Sequence, residues 1–164
     1  LVDVDRREYR LRDALRGYVA ERQDIDIVLI DCPPSLGLVT LNVMVAADEV
    51  MIPIQAEYYA LEGLSQLWRT VERIGADLNP GLQVSGMLLT MADKRTRLSE
   101  EVESEVRSHF PEHTFETVIP RSVRISEAPS YGQTVITYDG KNVGAIAYRK
   151  AALELSQRIP SDAR

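Results

Sequence analysis

Asp26-Ile27-Val28-Leu29-Ile30-Asp31-Cys32-Pro33-Pro34-Ser35 is the stretch that decides the fold class: four consecutive apolar residues end on an acid, and two prolines close the run at once. It predicts a buried parallel strand, because a strand covered on both faces reads as a continuous apolar run instead of an alternating one. An acid at the carboxyl end of such a strand can hold magnesium, through water, beside a phosphate chain. A second reading of Asp31 stays open, in which its side-chain oxygens simply cap the next helix, as strand-end acids commonly do. The two prolines fix φ twice and remove two donors, which turns the loop after Asp31 away from the sheet, as a loop that senses a terminal phosphate requires. Gly37 then gives that loop room to move. The matching phosphate cradle is missing. The sole Gly-Lys pair, Gly140-Lys141, is followed by Asn142 and has Val135 where a GxxxxGK[ST] loop needs its first glycine.

Working outward, helical and strand patterns alternate. Leu11, Leu15, Tyr18 and Val19 form the stripe of an amphipathic helix from about Tyr9 to Arg22. Leu36 to Ala47 reads as a largely buried helix and Glu49 to Gln55 as a strand. Leu64, Leu67, Trp68, Val71 and Ile74 make one face of a long helix that ends before Asn79-Pro80-Gly81. Val84 to Met91 predicts a strand, Leu98, Val102, Val106 and Phe110 a helix, and Phe115 to Ile119 a strand ending at Pro120. The last helix places Tyr148, Ala152, Leu155 and Ile159 on one face and stops at Pro160. Strands separated by helices pair in parallel through right-handed crossovers, so the expected fold is an α/β layered sandwich. Function in such sheets gathers at the strands' carboxyl ends, here Asp31, Gln55, Met91 and Pro120.

Composition narrows the classes. The chain has 164 residues, 45% hydrophobic and 27% charged, which suits one globular domain with a real core. No apolar run approaches the roughly 18 residues that span a bilayer, so a membrane-spanning role is excluded. The start carries no leader and is Leu1 instead of methionine, from which the chain is expected to begin inside a longer protein. A single cysteine, Cys32, cannot form an internal disulfide and points to the cytosol. The net charge of −6 argues against a globally basic nucleic-acid binder but leaves room for a local cationic patch.

Two clusters supply such a patch: Lys94-Arg95-Thr96-Arg97 and Arg121-Ser122-Val123-Arg124. Both follow strands expected to lie side by side, so their loops would share one edge of the sheet and could neutralise DNA phosphates. The alternative is a solvated rim, or arginines paired with Glu100, Glu101, Glu103 and Glu105. No aromatic is interleaved in sequence, so base stacking is not expected and binding would be indifferent to sequence. Tyr58 and Tyr59, between Glu57 and Glu62, read either as polar cover leading into a helix or as a partner surface. His109 and His113 lack a third ligand at a convincing spacing, and neither sits beside a serine nucleophile.

Taken together, these segments resemble the ParA/Soj partitioning ATPases within the deviant-Walker MinD/ParA group of P-loop proteins. The resemblance rests on Arg7 to Leu15, Asp31 to Leu36, Pro53 to Leu64, Leu89-Thr90-Met91, Val118 to Ser130, and Gly144-Ala145 with Tyr148, in order along nearly the whole chain. It implies an α/β, mostly parallel P-loop sheet flanked by helices, and it makes residues 1–164 the C-terminal portion of one such domain. It further implies ATP with Mg²⁺, an ATP-dependent homodimer, sequence-independent DNA binding, a ParB-like partner, and a cytoplasmic, nucleoid-associated protein without membrane attachment. By the same resemblance Asp31 matches the catalytic, magnesium-holding acid, and Cys32, Pro33, Pro34 and Gly37 lie in the switch loop. Thr90, Met91 and Pro120 would border the adenine. Arg95 and Arg124 match DNA-contacting arginines, joined by Arg121 and Lys94, and residues 55–63 become a dimer or switch-coupled surface. The family's phosphate-binding loop has no counterpart in these residues, so the chain alone is expected to be inactive in ATP hydrolysis. Two alternatives are a non-catalytic DNA- or partner-binding module and a MinD-like membrane-cycling ATPase. The segment 151–164 lacks the basic, bulky-apolar helix that the latter needs.

Overall fold

In chain order the elements are a 3₁₀ turn (Arg7–Tyr9), α1 (Arg10–Ala20), α2 (Leu38–Ala46), β1 (Glu49–Gln55), α3 (Ala60–Asp77), β2 (Gln83–Thr90), α4 (Arg97–His109), α5 (Val123–Glu127), a second 3₁₀ turn (Ala128–Tyr131), α6 (Val135–Tyr138) and α7 (Val143–Arg158). This computed structural model describes residues 6–22, 24–33, 35, 37–57 and 60–158, the side chains of 60–62 excepted. The strand expected at 49–55 forms with those bounds, the one expected at 84–91 forms at Gln83–Thr90, and the expected long helices form as α3, α4 and α7, as an α/β fold with a parallel sheet and flanking helices. The chain divides into two units, Leu1–Val50 with Leu67–Gln83 and Met51–Gln66 with Val84–Ala163.

In the first unit α1 lies against α2, where the Leu11 N–H donates to Asn42 Oδ1 at 3.3 Å. Asn79 closes the other end of α2. Its Nδ2 donates to the Met44 and Ala47 carbonyls at 3.0 and 2.8 Å, satisfying groups that a helix end otherwise leaves orphaned. Val43, Met44 and Val45 of α2 and Val71 and Ile74 of α3 are buried. The predicted stripe of α1 is only half covered, and Tyr18 stands exposed with the Arg22 guanidinium 5.6 Å from its ring centroid.

The expected strand at 26–31 is corrected. Residues 25–33 are irregular, and Ile27, Val28 and Leu29 are 64, 46 and 84% exposed. A strand exists only through a ladder, and no strand among the described residues offers one to this segment. An apolar run records what a segment is suited to bury against, without identifying the partner.

In the second unit β1 and β2 run side by side in parallel, and the Ala56 N–H meets the Thr90 carbonyl at 2.9 Å at their carboxyl ends. Only one face of β1 is buried, through Ile52 and Ile54. Even-numbered residues of β1 turn their amides to β2, so Pro53 places its donorless nitrogen on the opposite edge, where a proline is tolerated. The far side of β2 pairs with residues 113–121 through parallel bridges Met87 to Thr114 and Ala92 to Pro120.

This third segment, expected as a plain strand at 115–119, is bulged instead. The Phe115 N–H bonds the Met87 carbonyl at 2.9 Å and the Ile119 N–H bonds the Leu89 carbonyl at 2.9 Å, so more residues lie on this segment than on β2 between the two bonds. The freed N–H groups of Glu116 and Thr117 donate to the Glu154 carboxylate of α7 at 2.8 and 3.0 Å. Arg107 of α4 donates to the Phe115 and Glu116 carbonyls at 3.0 and 3.3 Å. Two helices therefore hold the irregular backbone in place of the sheet.

The packing face of α7 lies one residue before the expected one. Ala147 and Ala151, with Leu155 beside them, pack on Leu88, Phe115 and Ile119, whereas Tyr148 and Ala152 are exposed. Phe115 fills the interval, so only a small-residue face fits. Ile159 and Pro160 lie outside the described residues.

Gly86 sits under the Phe115 ring. A Cβ there would run into Cε2, lie 2.7 Å from Cδ2 and come 3.1 Å from the His113 carbonyl. Phe115 is fully buried and has nowhere to go. Gly86→Ala is therefore expected to destabilise the protein by about 1–3 kcal/mol in urea unfolding. A change within experimental error would show that the ring has slack.

Candidate functional site

Two loops leave adjacent strand ends in the second unit. At the end of β2, Met91 takes φ 56°, a left-handed conformation costly for a residue with a long side chain. The twist offsets the ladder by one residue, so that Ala92 instead of Met91 donates to the Ile119 carbonyl at 3.2 Å. The Arg121 N–H then donates to the Ala92 carbonyl at 2.9 Å. Thr90 anchors the strand end through Oγ1 donating to the Ile54 carbonyl at 3.2 Å. The structure thus brings Thr90 and Met91 next to Pro120, and the loop at 93–96 next to the one at 121–124.

The first loop is a turn closed on Asp93. The Thr96 N–H and Oγ1 both donate to the Asp93 carbonyl, at 3.0 and 2.9 Å, and the Asp93 N–H donates to the buried Ser99 hydroxyl at 3.2 Å. The Asp93 carboxylate accepts from the Arg95 N–H at 3.1 Å and grips its guanidinium twice, Nε to Oδ1 at 2.9 Å and Nη2 to Oδ2 at 2.7 Å. The Arg95 side chain nevertheless remains 88% exposed. Lys94 and Arg97 are also exposed.

α5 carries the second set of cations. Ser122 Oγ donates to Asn142 Oδ1 at 3.1 Å, and the same oxygen accepts from the Gly144 N–H at 2.9 Å. Gly144 lets Ile125 approach: a Cβ there would lie 2.6 Å from Ile125 Cδ1. Arg124 so placed donates from Nη1 to Glu127 Oε2 at 2.9 Å, and its Nε is 3.8 Å from Asp139 Oδ2. The acids on α4 suggested as partners do not serve Arg95 or Arg124; among them Glu103 binds Arg107 at 2.9 Å. Sequence reading also missed an aromatic neighbour. Tyr138, from α6, lies 5.9 Å below the Arg124 guanidinium and stacks on Tyr131 with centroids 5.0 Å apart. No aromatic lies within either basic run, and only the turn at 128–134 returns these rings to it.

The first unit carries Asp31 and the residues expected in the switch loop. Asp31 and Pro33 are exposed, while Pro34 lies outside the described residues, as do Leu36, Tyr58 and Tyr59. Burial, then the Asp31 charge, pushes the Cys32 thiol up, which keeps it protonated at neutral pH. Gly37 is extended at φ −86°, with open space where a Cβ would stand, so its backbone freedom is not used here. Its carbonyl accepts the Leu41 N–H at 3.0 Å, and Thr40 Oγ1 donates to the Ser35 carbonyl at 2.5 Å.

These residues do not by themselves fit a nucleoside triphosphate with its metal. The sequence holds no glycine-rich cradle of backbone N–H groups, and among the described residues no group of three acids, histidines or cysteines could hold a metal.

Hydrogen bonds from the Arg95 guanidinium hold the Asp93 carboxyl well below the usual carboxylate range. A depressed folded-state value means the pair contributes stability above the ordinary aspartate titration and loses it only as pH falls through the lower folded value. Carboxyl-detected NMR should therefore place the Asp93 midpoint far below roughly 3.9, and Arg95→Ala should return it toward that value. An ordinary midpoint in the unsubstituted protein would show that the pair is not formed in solution.

A protein-family model described as an AAA domain matches residues 1–84. The chain is 52% identical over 158 residues to the chromosome partitioning protein ParA of Myxococcus xanthus, covering 96% of this chain and 55% of that protein. It is 50% identical over 156 residues to the sporulation initiation inhibitor protein Soj of Bacillus subtilis, covering 95% of this chain and 60% of that protein. Cobyrinic acid a,c-diamide synthase from Mycobacterium smegmatis, solved with bound ADP and magnesium, superposes with a TM-score of 0.78 at 35% identity over 98% of this chain and 57% of its own. The chain thus spans somewhat more than half the length of the relatives it matches. Half of the sequence fits the domain model and nearly all of it aligns with partitioning proteins at about 50% identity, so the chain belongs to the AAA-domain family of ParA/Soj-type chromosome-partitioning proteins.

Proposed function

We propose that these residues form the DNA-contacting part of a ParA/Soj-type partitioning ATPase, the C-terminal portion of one P-loop domain. The observation that carries this reading is the pairing of two cationic loops on adjacent strand ends, with the Arg95 guanidinium almost wholly exposed. Arg95 and Arg124 contact backbone phosphates, with Arg121 and Lys94 adding charge, and duplex DNA is held without regard to sequence because no contact reads a base edge. In the complete protein Asp31 would be the acid that holds magnesium. Cys32, Pro33, Pro34 and Gly37 form the switch loop, and Thr90, Met91 and Pro120 border the adenine. In the complete protein ATP binding drives homodimerisation, a ParB-like partner stimulates hydrolysis, and the protein works in the cytoplasm on the nucleoid. Residues 1–164 alone do not hydrolyse ATP, since the backbone amides that bind most of the phosphate are not among them.

Two measurements test this. In the full-length protein, Arg95→Ala and Arg124→Ala should each weaken binding to every duplex and reduce the slope of log K against log salt by about 1. Unchanged binding in both variants would leave the partner-binding module as the better reading. Calorimetric titration of the isolated chain with Mg-ATP should show no micromolar binding, and micromolar affinity would overturn the assignment of phosphate binding to other residues.

A further inference from the structure

Both proposed phosphate contacts already hold an anion of this protein's own. Asp93 meets Arg95 in a two-pronged grip, Nε to Oδ1 at 2.9 Å and Nη2 to Oδ2 at 2.7 Å, which is also the geometry in which a guanidinium takes two oxygens of a phosphate. Glu127 takes Nη1 of Arg124 at 2.9 Å, and Asp139 lies 3.8 Å from its Nε. Each acid is delivered by the element that carries its arginine, or by the turn beside it, so pairing needs no rearrangement of the fold.

We propose that Asp93 and Glu127 are internal phosphate mimics, which occupy Arg95 and Arg124 in the DNA-free protein and are exchanged for backbone phosphate when DNA binds. This inference rests on the DNA-binding reading above. The exchange keeps the contact weak and quickly reversible, because each phosphate must displace a carboxylate instead of meeting a free cation. It also limits the positive field of the patch at distance, so that an acidic protein binds DNA only on close approach. The pairs suit this role by exposure: Arg95 is 88% and Arg124 51% exposed, so an incoming phosphate reaches both and water screens both pairs.

Asp93→Asn and Glu127→Gln remove the charge and keep the shape. At position 93 the backbone N–H and carbonyl hold the turn, and an asparagine oxygen still accepts the Arg95 N–H, so the loop keeps its fold. The probe is a mixed-sequence DNA duplex, titrated by fluorescence anisotropy over a salt series against the full-length, ATP-bound protein. Each substitution should tighten binding about threefold at moderate salt and steepen the salt slope by up to about 1. Glu112→Gln, an exposed acid at the amino end of the sheet, controls for the general loss of negative charge, and Asp93→Asn in an Arg95→Ala background should change binding no more than Glu112→Gln does. If the arginine variants weaken binding while both acid variants match Glu112→Gln, the mimic is overturned and the DNA reading stands. Arginine variants that leave binding unchanged would overturn both.

Discussion

The parallel register between β2 and residues 113–121 is the constraint on which the rest of the second unit depends. Its bonds at Met87, Leu89 and Ala92 bring two strand ends level, and every cation proposed to meet DNA lies within a few residues of those ends. The register is not a regular ladder. It absorbs extra residues at 116–118 and a left-handed residue at Met91, and the bulge is supported from outside the sheet. Glu154 and Arg107 supply the hydrogen bonds that β2 leaves unmade, so α4 and α7 act as struts for the backbone as well as cover for the core.

Small residues set the distances in this arrangement. Gly86 accepts the Phe115 ring, Ala147 and Ala151 let α7 approach it, and Gly144 lets Ile125 seat α5 at the base of the second loop. Ala128, Val135 and Ala145 fill the space below the short turns that return Tyr131 and Tyr138 to Arg124. The orientation of a surface arginine is thus decided by glycine and alanine packing several residues away.

The electrostatics are local. Exposed ion pairs contribute little to stability in water, so the Asp93–Arg95 and Glu127–Arg124 pairs matter chiefly for which anions the patch will accept. On the proposed reading, a chain of net charge −6 would in this way present cations to a polyanion without the long-range field of a basic protein.

Much of this was legible in the sequence. Short apolar stretches located the strands at 49–55 and, within a residue, at 84–91, and the 3.6-residue repeat located the long helices, because that repeat reports directly on which face is buried. The order of strands and helices implied a parallel sheet, and with it that residues 94–97 and 121–124 emerge side by side. The run at 26–31 misled for a physical reason: apolar content measures the tendency to be buried, whereas a strand also needs a hydrogen-bonding partner. Tertiary structure alone decided the bulge at 116–118, the one-residue shift in the face of α7, the rings beneath Arg124, and the choice of Asp93 and Glu127 over the acids of α4 as partners. Each depends on atoms brought together by folding at distances that spacing along the chain does not encode.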